Sequence, residues 1–115
     1  MRTDLERLRD IIEASNLILQ YMHRLRDGSH SGDEDVFHDA ILHQLMVLGE
    51  ASVNIDTGLK KKYQSVPWAT IKAFRNILVH EYSGVRWDLV WNAVDQIPGL
   101  LNEVKQILLH EYGIG

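Results

Sequence analysis

Apolar residues recur at helical intervals along nearly the whole chain, and this pattern limits the fold more than any other feature of the sequence. In the first segment they fall at Leu5, Leu8, Ile11, Ile12, Ile18, Leu19, Met22 and Leu25. Spacings of three, four and seven gather such residues on one face of a helix. Thr3 followed by Glu6 is the sequence of a capping box at its start. The run Asp27-Gly28-Ser29-His30-Ser31-Gly32 is rich in turn formers, with a glycine placed to stop the helix. A second helix is expected to start around Asp33 to Asp35, whose carboxylates suit a helix N-terminus, and to run through Phe37, Ala40, Ile41, Leu45, Leu48 and Ala51. Its broad apolar face predicts a central position.

The pattern breaks at Asn54 to Gly58, a short helical turn is expected over Leu59 to Gln64, and Ser65-Val66-Pro67 signals the start of a third long helix. Gly84 is expected to end that helix, which would leave His80 and Tyr82 in its last turn. A final helix should begin near Asp88 and continue through Val90, Ala93, Val94, Ile97, Leu100, Leu101, Val104, Ile107 and Leu108, kinked at Pro98. No segment alternates as a strand would. Long helices joined by short connections predict one all-α domain over residues 1–115, an up-and-down bundle of four main helices plus a short one.

Composition narrows the chemistry. The 115 residues are enough for one core and too few for two. With no cysteine, disulfides, thiolate nucleophiles and sulfur-ligated zinc are excluded. The opening Met1-Arg2-Thr3-Asp4-Leu5-Glu6-Arg7 is charged and has no signal-peptide core, so a cytoplasmic protein without a membrane span is expected. A net charge of −4 conceals an asymmetry. Between Gly58 and Arg86 stand Lys60, Lys61, Lys62, Lys72, Arg75 and Arg86 against Glu81 alone, so that segment is +5 and the remainder −9. These residues are candidate contacts for a polyanion such as RNA; Lys60 to Lys62 also fit a solvated helix end.

Within that segment lies Arg75-Asn76-Ile77-Leu78-Val79-His80-Glu81-Tyr82. Arginine stays charged and can fork onto phosphate oxygens, while histidine titrates near neutrality and can move protons. The combination of Arg75 and His80 suits phosphodiester cleavage. Asn76 and His80 are one turn apart on one face, which places the amide to orient the imidazole. Arg75 and His80 are roughly 140° apart around an ideal helix, so in one chain their heads converge only if the long arginine curls around or the last turn unwinds, whereas a two-fold dimer would bring two arginines and two histidines to one cleft.

The octapeptide resembles the R-x-x-x-x-H-x-Y signature of HepT-type toxins of the HEPN superfamily. Leu48-Gly49-Glu50-Ala51, Val66-Pro67-Trp68, Ser83-Gly84-Val85 and Val90-Trp91 are similar to that family in the same order, so the resemblance spans most of the chain. It implies a HEPN-like homodimer with its active site across the interface. It implies a metal-independent ribonuclease, the toxin of a toxin–antitoxin pair, using Arg75, His80 and Asn76. It also implies that a minimal nucleotidyltransferase antitoxin silences the toxin by placing AMP on Tyr82. No cofactor is expected. The competing expectation is a non-catalytic helical module that binds a nucleotidyltransferase and assists its substrate binding.

Other residues have plainer expectations. Arg75 alone would be a surface ion pair with Glu81 or with an acid on the second helix, and Gly49-Glu50 puts a carboxylate beside a residue that permits close helix approach. His23, His30, His38, His43 and His110 suggest metal binding, but His38 and His43 are five apart, where ligands on one helix face stand three or four apart, and no metal site is expected. Trp68, Trp87 and Trp91 are expected to pack rather than to stack on bases.

Overall fold

The computed structural model describes residues 2–28 and 32–115, and every regular element among them is helical. The α1 helix covers Asp4–Asp27, α2 Glu34–Val53, α3 Thr57–Lys62, α4 Trp68–His80, α5 Trp87–Asp95 and α6 Ile97–Tyr112. A single 3₁₀ turn, Tyr82–Gly84, links α4 to α5.

The capping box is formed at the start of α1. Glu6 N–H donates to Thr3 Oγ1 at 3.1 Å, and Thr3 N–H donates to Glu6 Oε1 at 3.0 Å, so two of the unpaired donors of a helix start are satisfied. Gly28 ends α1 at φ 71°, a left-handed conformation that costs glycine little. The expected loop over Ser29, His30 and Ser31 lies outside the described residues.

One flank of α1 packs along α2 and the other against α6, while the far flank of α2 carries α4. The core fills from these faces. Leu8, Ile11, Ala14 and Ile18 of α1 meet Ile41, Leu42, Leu45 and Leu48 of α2, closed by Val90 and Val94 of α5 and by Ile97, Val104 and Ile107 of α6. The expected central α2 is seen: it buries eight of its residues, Ser52 among them, whose hydroxyl donates to the Leu48 carbonyl at 2.8 Å. Among the described residues no helix is long and apolar enough to cross a membrane.

Three boundaries differ from expectation. The short helix α3 covers Thr57–Lys62 rather than Leu59 to Gln64, because the Asp56 side chain accepts from Gly58 N–H at 2.9 Å and starts it earlier. The last helix is divided rather than merely kinked. Gln96 N–H turns back to Ala93 at 3.0 Å, and Pro98, which has no N–H to donate one turn back, sits in the first turn of the new helix α6. Gly84 does not end α4. The last helical donor is Glu81 N–H to Ile77 at 2.8 Å, after which the chain tightens into the 3₁₀ turn, Gly84 N–H donating to Glu81 at 3.1 Å. Val85 must then be extended, φ −64° and ψ 142°, to pack on the core. Tyr82 therefore belongs to the turn beyond α4, and His80 is the last residue of the helix.

Candidate functional site

The site is built on the approach of α4 to α2. Gly49 is buried on α2, and a Cβ at that position would lie 2.7 Å from Arg75 Cβ and 2.9 Å from its Cγ. Only glycine lets the arginine stem lie against the α2 backbone, so the close approach foreseen for Gly49-Glu50 is present. Once there, Arg75 meets the next residue of α2. Its Nε donates to Glu50 Oε2 at 3.0 Å and its Nη2 donates to the same oxygen at 2.5 Å. Asn54, one turn along α2, donates from Nδ2 to Glu50 Oε1 at 3.2 Å, so each carboxylate oxygen is held. The hydrogen bond from Arg75 and then that from Asn54 keep the Glu50 carboxyl below its usual range, although burial works the other way.

Asn76 is placed differently from the expectation that it would orient His80. Its Oδ1 accepts from Arg75 Nη1 at 2.9 Å. The neighbouring arginine competes because its long side chain reaches the adjacent amide while serving Glu50. Asn54, Glu50, Arg75 and Asn76 thus form one chain of hydrogen bonds from α2 to α4.

Arg75 lines a groove of about 480 Å³ between α1, α2 and α4, with Arg2, Arg7, His43, Glu50 and Val79. Its arginines are countered by acids: Arg2 donates to Asp10 at 2.6 and 2.8 Å, Arg7 lies 3.4 Å from Asp4, and Arg75 is held by Glu50. Sequence reasoning missed Arg2 and Arg7 and considered His43 only as a metal ligand. The available signal was weak: His43 and Glu50 are seven apart and share a helix face, but nothing local points α1 toward the same groove.

His80 does not line that groove; it is exposed at the C-terminal end of α4, and Tyr82 is exposed in the turn beyond it. Among the described residues the chain therefore does not bring Arg75 and His80 into one cavity, as the angular separation on the helix predicts. The basic residues are dispersed too. Lys60 donates to the Val53 carbonyl at 2.9 Å and lies 6.0 Å from the Trp68 ring centre, and burial followed by nearby Lys72 lowers its pKa. Lys62 pairs with Glu111 at 2.7 Å, and Arg86 with Asp88 at 2.6 Å. Lys61 is exposed on α3, and Lys72 is exposed on α4, about 12 Å along the axis from His80 at the rise of an α-helix.

The tryptophans pack as expected. Trp68 Nε1 donates to the Tyr63 carbonyl at 3.0 Å, and Trp87, Trp91 and His38 form a cluster with ring centres 4.6 to 5.3 Å apart. A second, apolar groove of about 580 Å³ separates α4 from α5 and α6; Leu48, Ile71, Phe74, Ile77, Ile97 and Leu100 line it, and it contains none of Arg75, His80 and Tyr82.

The structure is thus an all-helical bundle with an arginine, a histidine and a tyrosine along and just beyond the end of one helix. The chain belongs to the ribonuclease HepT-like family, whose model matches residues 11–107. A Methanocaldococcus jannaschii protein named as a candidate RNase, MJ1380, is 30% identical over 99 residues, covering 85% of this chain and 90% of the relative. The probable ribonuclease HepT of Thermococcus cleftensis is 29% identical over 107 residues, covering 92% of this chain and 96% of that one. A Caldanaerobacter subterraneus protein, TTE0752, also named as a candidate RNase, is 35% identical over 79 residues, covering 68% and 70%. No solved structure matches the chain.

Proposed function

We propose that the protein is the toxin of a type II toxin–antitoxin pair, a cytoplasmic ribonuclease that cuts RNA without a metal ion. The observation that carries this reading is the anchoring of Arg75 by Glu50 and Asn76, with His80 accessible at the end of the same helix.

In the proposed reaction, neutral His80 takes the proton from a ribose 2′-hydroxyl as that oxygen attacks the adjacent phosphorus. Arg75 stabilises the added negative charge on the phosphoryl oxygens. The O2′–P bond forms, the P–O5′ bond breaks, and the products are a cyclic phosphate and a 5′-hydroxyl. A two-fold homodimer supplies the missing convergence: it sets one protomer's Arg75 near its partner's His80, and the second His80 protonates the leaving oxygen. The failure of a single protomer to gather the two groups supports this arrangement. DNA, having no 2′-hydroxyl, is spared.

Tyr82 is the proposed acceptor of AMP from a minimal nucleotidyltransferase antitoxin. Its exposed position in the turn after α4 leaves the hydroxyl accessible to such a partner. The added phosphate charge and adenine bulk would then close the site to RNA. Lys61 and Lys72 are the better-placed candidates for backbone contacts, because Lys60, Lys62 and Arg86 already have partners.

The test is cleavage of total cellular RNA by the purified protein in excess EDTA, beside Arg75→Ala and His80→Ala variants. Cutting by the wild type alone supports the reading. If none of the three cuts, the ribonuclease reading fails and the partner-binding module takes its place.

A further inference from the structure

We infer that Glu50 is a positioning residue for Arg75: it holds the guanidinium by one edge so that the terminal nitrogens face the scissile phosphate. The inference rests on the ribonuclease reading above and assigns a role to a residue that touches no substrate.

A guanidinium carries five N–H groups in a rigid plane. Nε and Nη2 each direct one at Glu50 Oε2, and Nη1 directs one at Asn76 Oδ1. Among the described residues this leaves one N–H on each terminal nitrogen to donate to phosphate oxygens. A surface ion pair would ordinarily exchange among conformations. This one is fixed from three sides: Asn54 holds the other oxygen of Glu50, Asn76 holds the far nitrogen, and contact with Gly49 fixes the arginine stem. The Arg75 side chain is 26% exposed and the Glu50 side chain 57%, so the clamp lies at the surface where a polyanion can reach it.

The arrangement has a cost and a benefit that separate experimentally. A carboxylate beside the phosphate-binding group offsets the charge of Arg75 and weakens ground-state attraction for RNA. Holding the fork in one orientation favours the transition state, in which the phosphoryl oxygens gain charge. Removal of Glu50 should therefore move binding and rate in opposite directions. Loss of a merely structural contact would lower both.

The experiment measures binding of a 2′-O-methyl oligoribonucleotide as a function of salt, and initial rates on the matching ribose oligomer, for the wild type, Glu50→Ala and Glu50→Gln. Thermal unfolding of each variant serves as a folding check. Glu50→Ala is expected to bind at least as tightly as the wild type, with a salt slope steeper by about 0.7, the value for one more phosphate contact on a single strand. Its kcat should fall by about tenfold to a hundredfold, as for a misplaced catalytic group. Glu50→Gln keeps an oxygen that can accept from Arg75 and loses the charge, so it should share the steeper slope and retain most of the rate. If Glu50→Ala loses binding and rate in the same proportion, or cuts as fast as the wild type, the inference is overturned while the ribonuclease reading stands. A wild type that cuts nothing overturns both.

Discussion

The α1–α2 pair and α4 are amphipathic helices of one bundle, held in place by different means. The α1 helix buries Leu8, Ile11, Ala14, Ser15 and Ile18 against its neighbours, and α2 buries eight residues. In contrast α4 buries Leu78 alone, leaves an apolar groove on its α5–α6 side, and leans on α2 through partly buried residues and the Gly49–Arg75 contact. The framework is fixed by area removed from water, which is large and insensitive to the identity of any one polar group. The motif helix rests on Leu78 and on partly buried Ile71 and Phe74, and one close approach with a short run of hydrogen bonds sets how Arg75 is held. Stability and chemistry are thereby separated within about a hundred residues, and substitutions in the two regions should fail in different ways.

The largest expected effect lies in the framework. Ile11→Ala empties a fully buried position and should cost about 2–5 kcal/mol in urea unfolding, while the folded fraction keeps its specific activity. The comparison breaks if Ile11→Ala leaves stability intact. Arg75→Ala should behave in the opposite way, cutting the rate by about 10² to 10³, equivalent to about 2.7–4 kcal/mol in the transition state, with little change in the unfolding midpoint. A collapse of the fold in that variant would mean that α4 belongs to the framework after all.

Gly49→Ala tests the junction of the two regions. The new methyl would meet the Arg75 stem at 2.7 Å, so α4 must move, at a cost of about 1–3 kcal/mol. Both the unfolding midpoint and the cleavage rate should drop, unlike either preceding variant. Thr3→Ala removes the capping box, which lies outside the lining of the Arg75 groove, and should lower stability by about 1 kcal/mol with no effect on cleavage.

The smallest effect is in pH. The Glu50 carboxyl titrates below its ordinary value because Arg75 and then Asn54 donate to it, so its contribution is present above the unfolded-state pKa and is lost as the pH falls through the folded one. In Glu50→Gln the acid limb of the stability profile below about pH 4.5 should flatten. The change should be under about 1 kcal/mol and shrink in high salt, because the pair is exposed. A profile identical to that of the wild type would show that the clamp contributes nothing to folding.

Much of this architecture is legible in the chain. Thr3 with Glu6, Gly28, the apolar spacing of α1, α2 and α6, and the interruption at Pro98 are local signals, because each depends on residues within a few turns of one another. Boundaries set by packing were less legible. Gly84 has the residue type of a helix stop, yet α4 ends at His80 and the chain passes through a 3₁₀ turn before Val85 packs, partly buried, on the core. The motif itself could be read as a string. The partner of each member could not: Asn76 serves Arg75, and Lys60 and Lys62 are used by the Val53 carbonyl and by Glu111.

The sequence by itself determined an all-helical chain of the ribonuclease HepT-like family and the residue types along its motif, since periodicity, caps and short motifs are properties of neighbours in the chain. Only the tertiary structure decided that Arg75 lies on Gly49, that Glu50 rather than Glu81 is its counter-ion, and that His80 stays outside the lining of the groove that Arg75 lines. Residues 25 positions apart meet only when α2 and α4 pack. Which carboxylate an arginine then finds depends on how closely the two backbones approach, a distance set by a glycine and by the core beneath it.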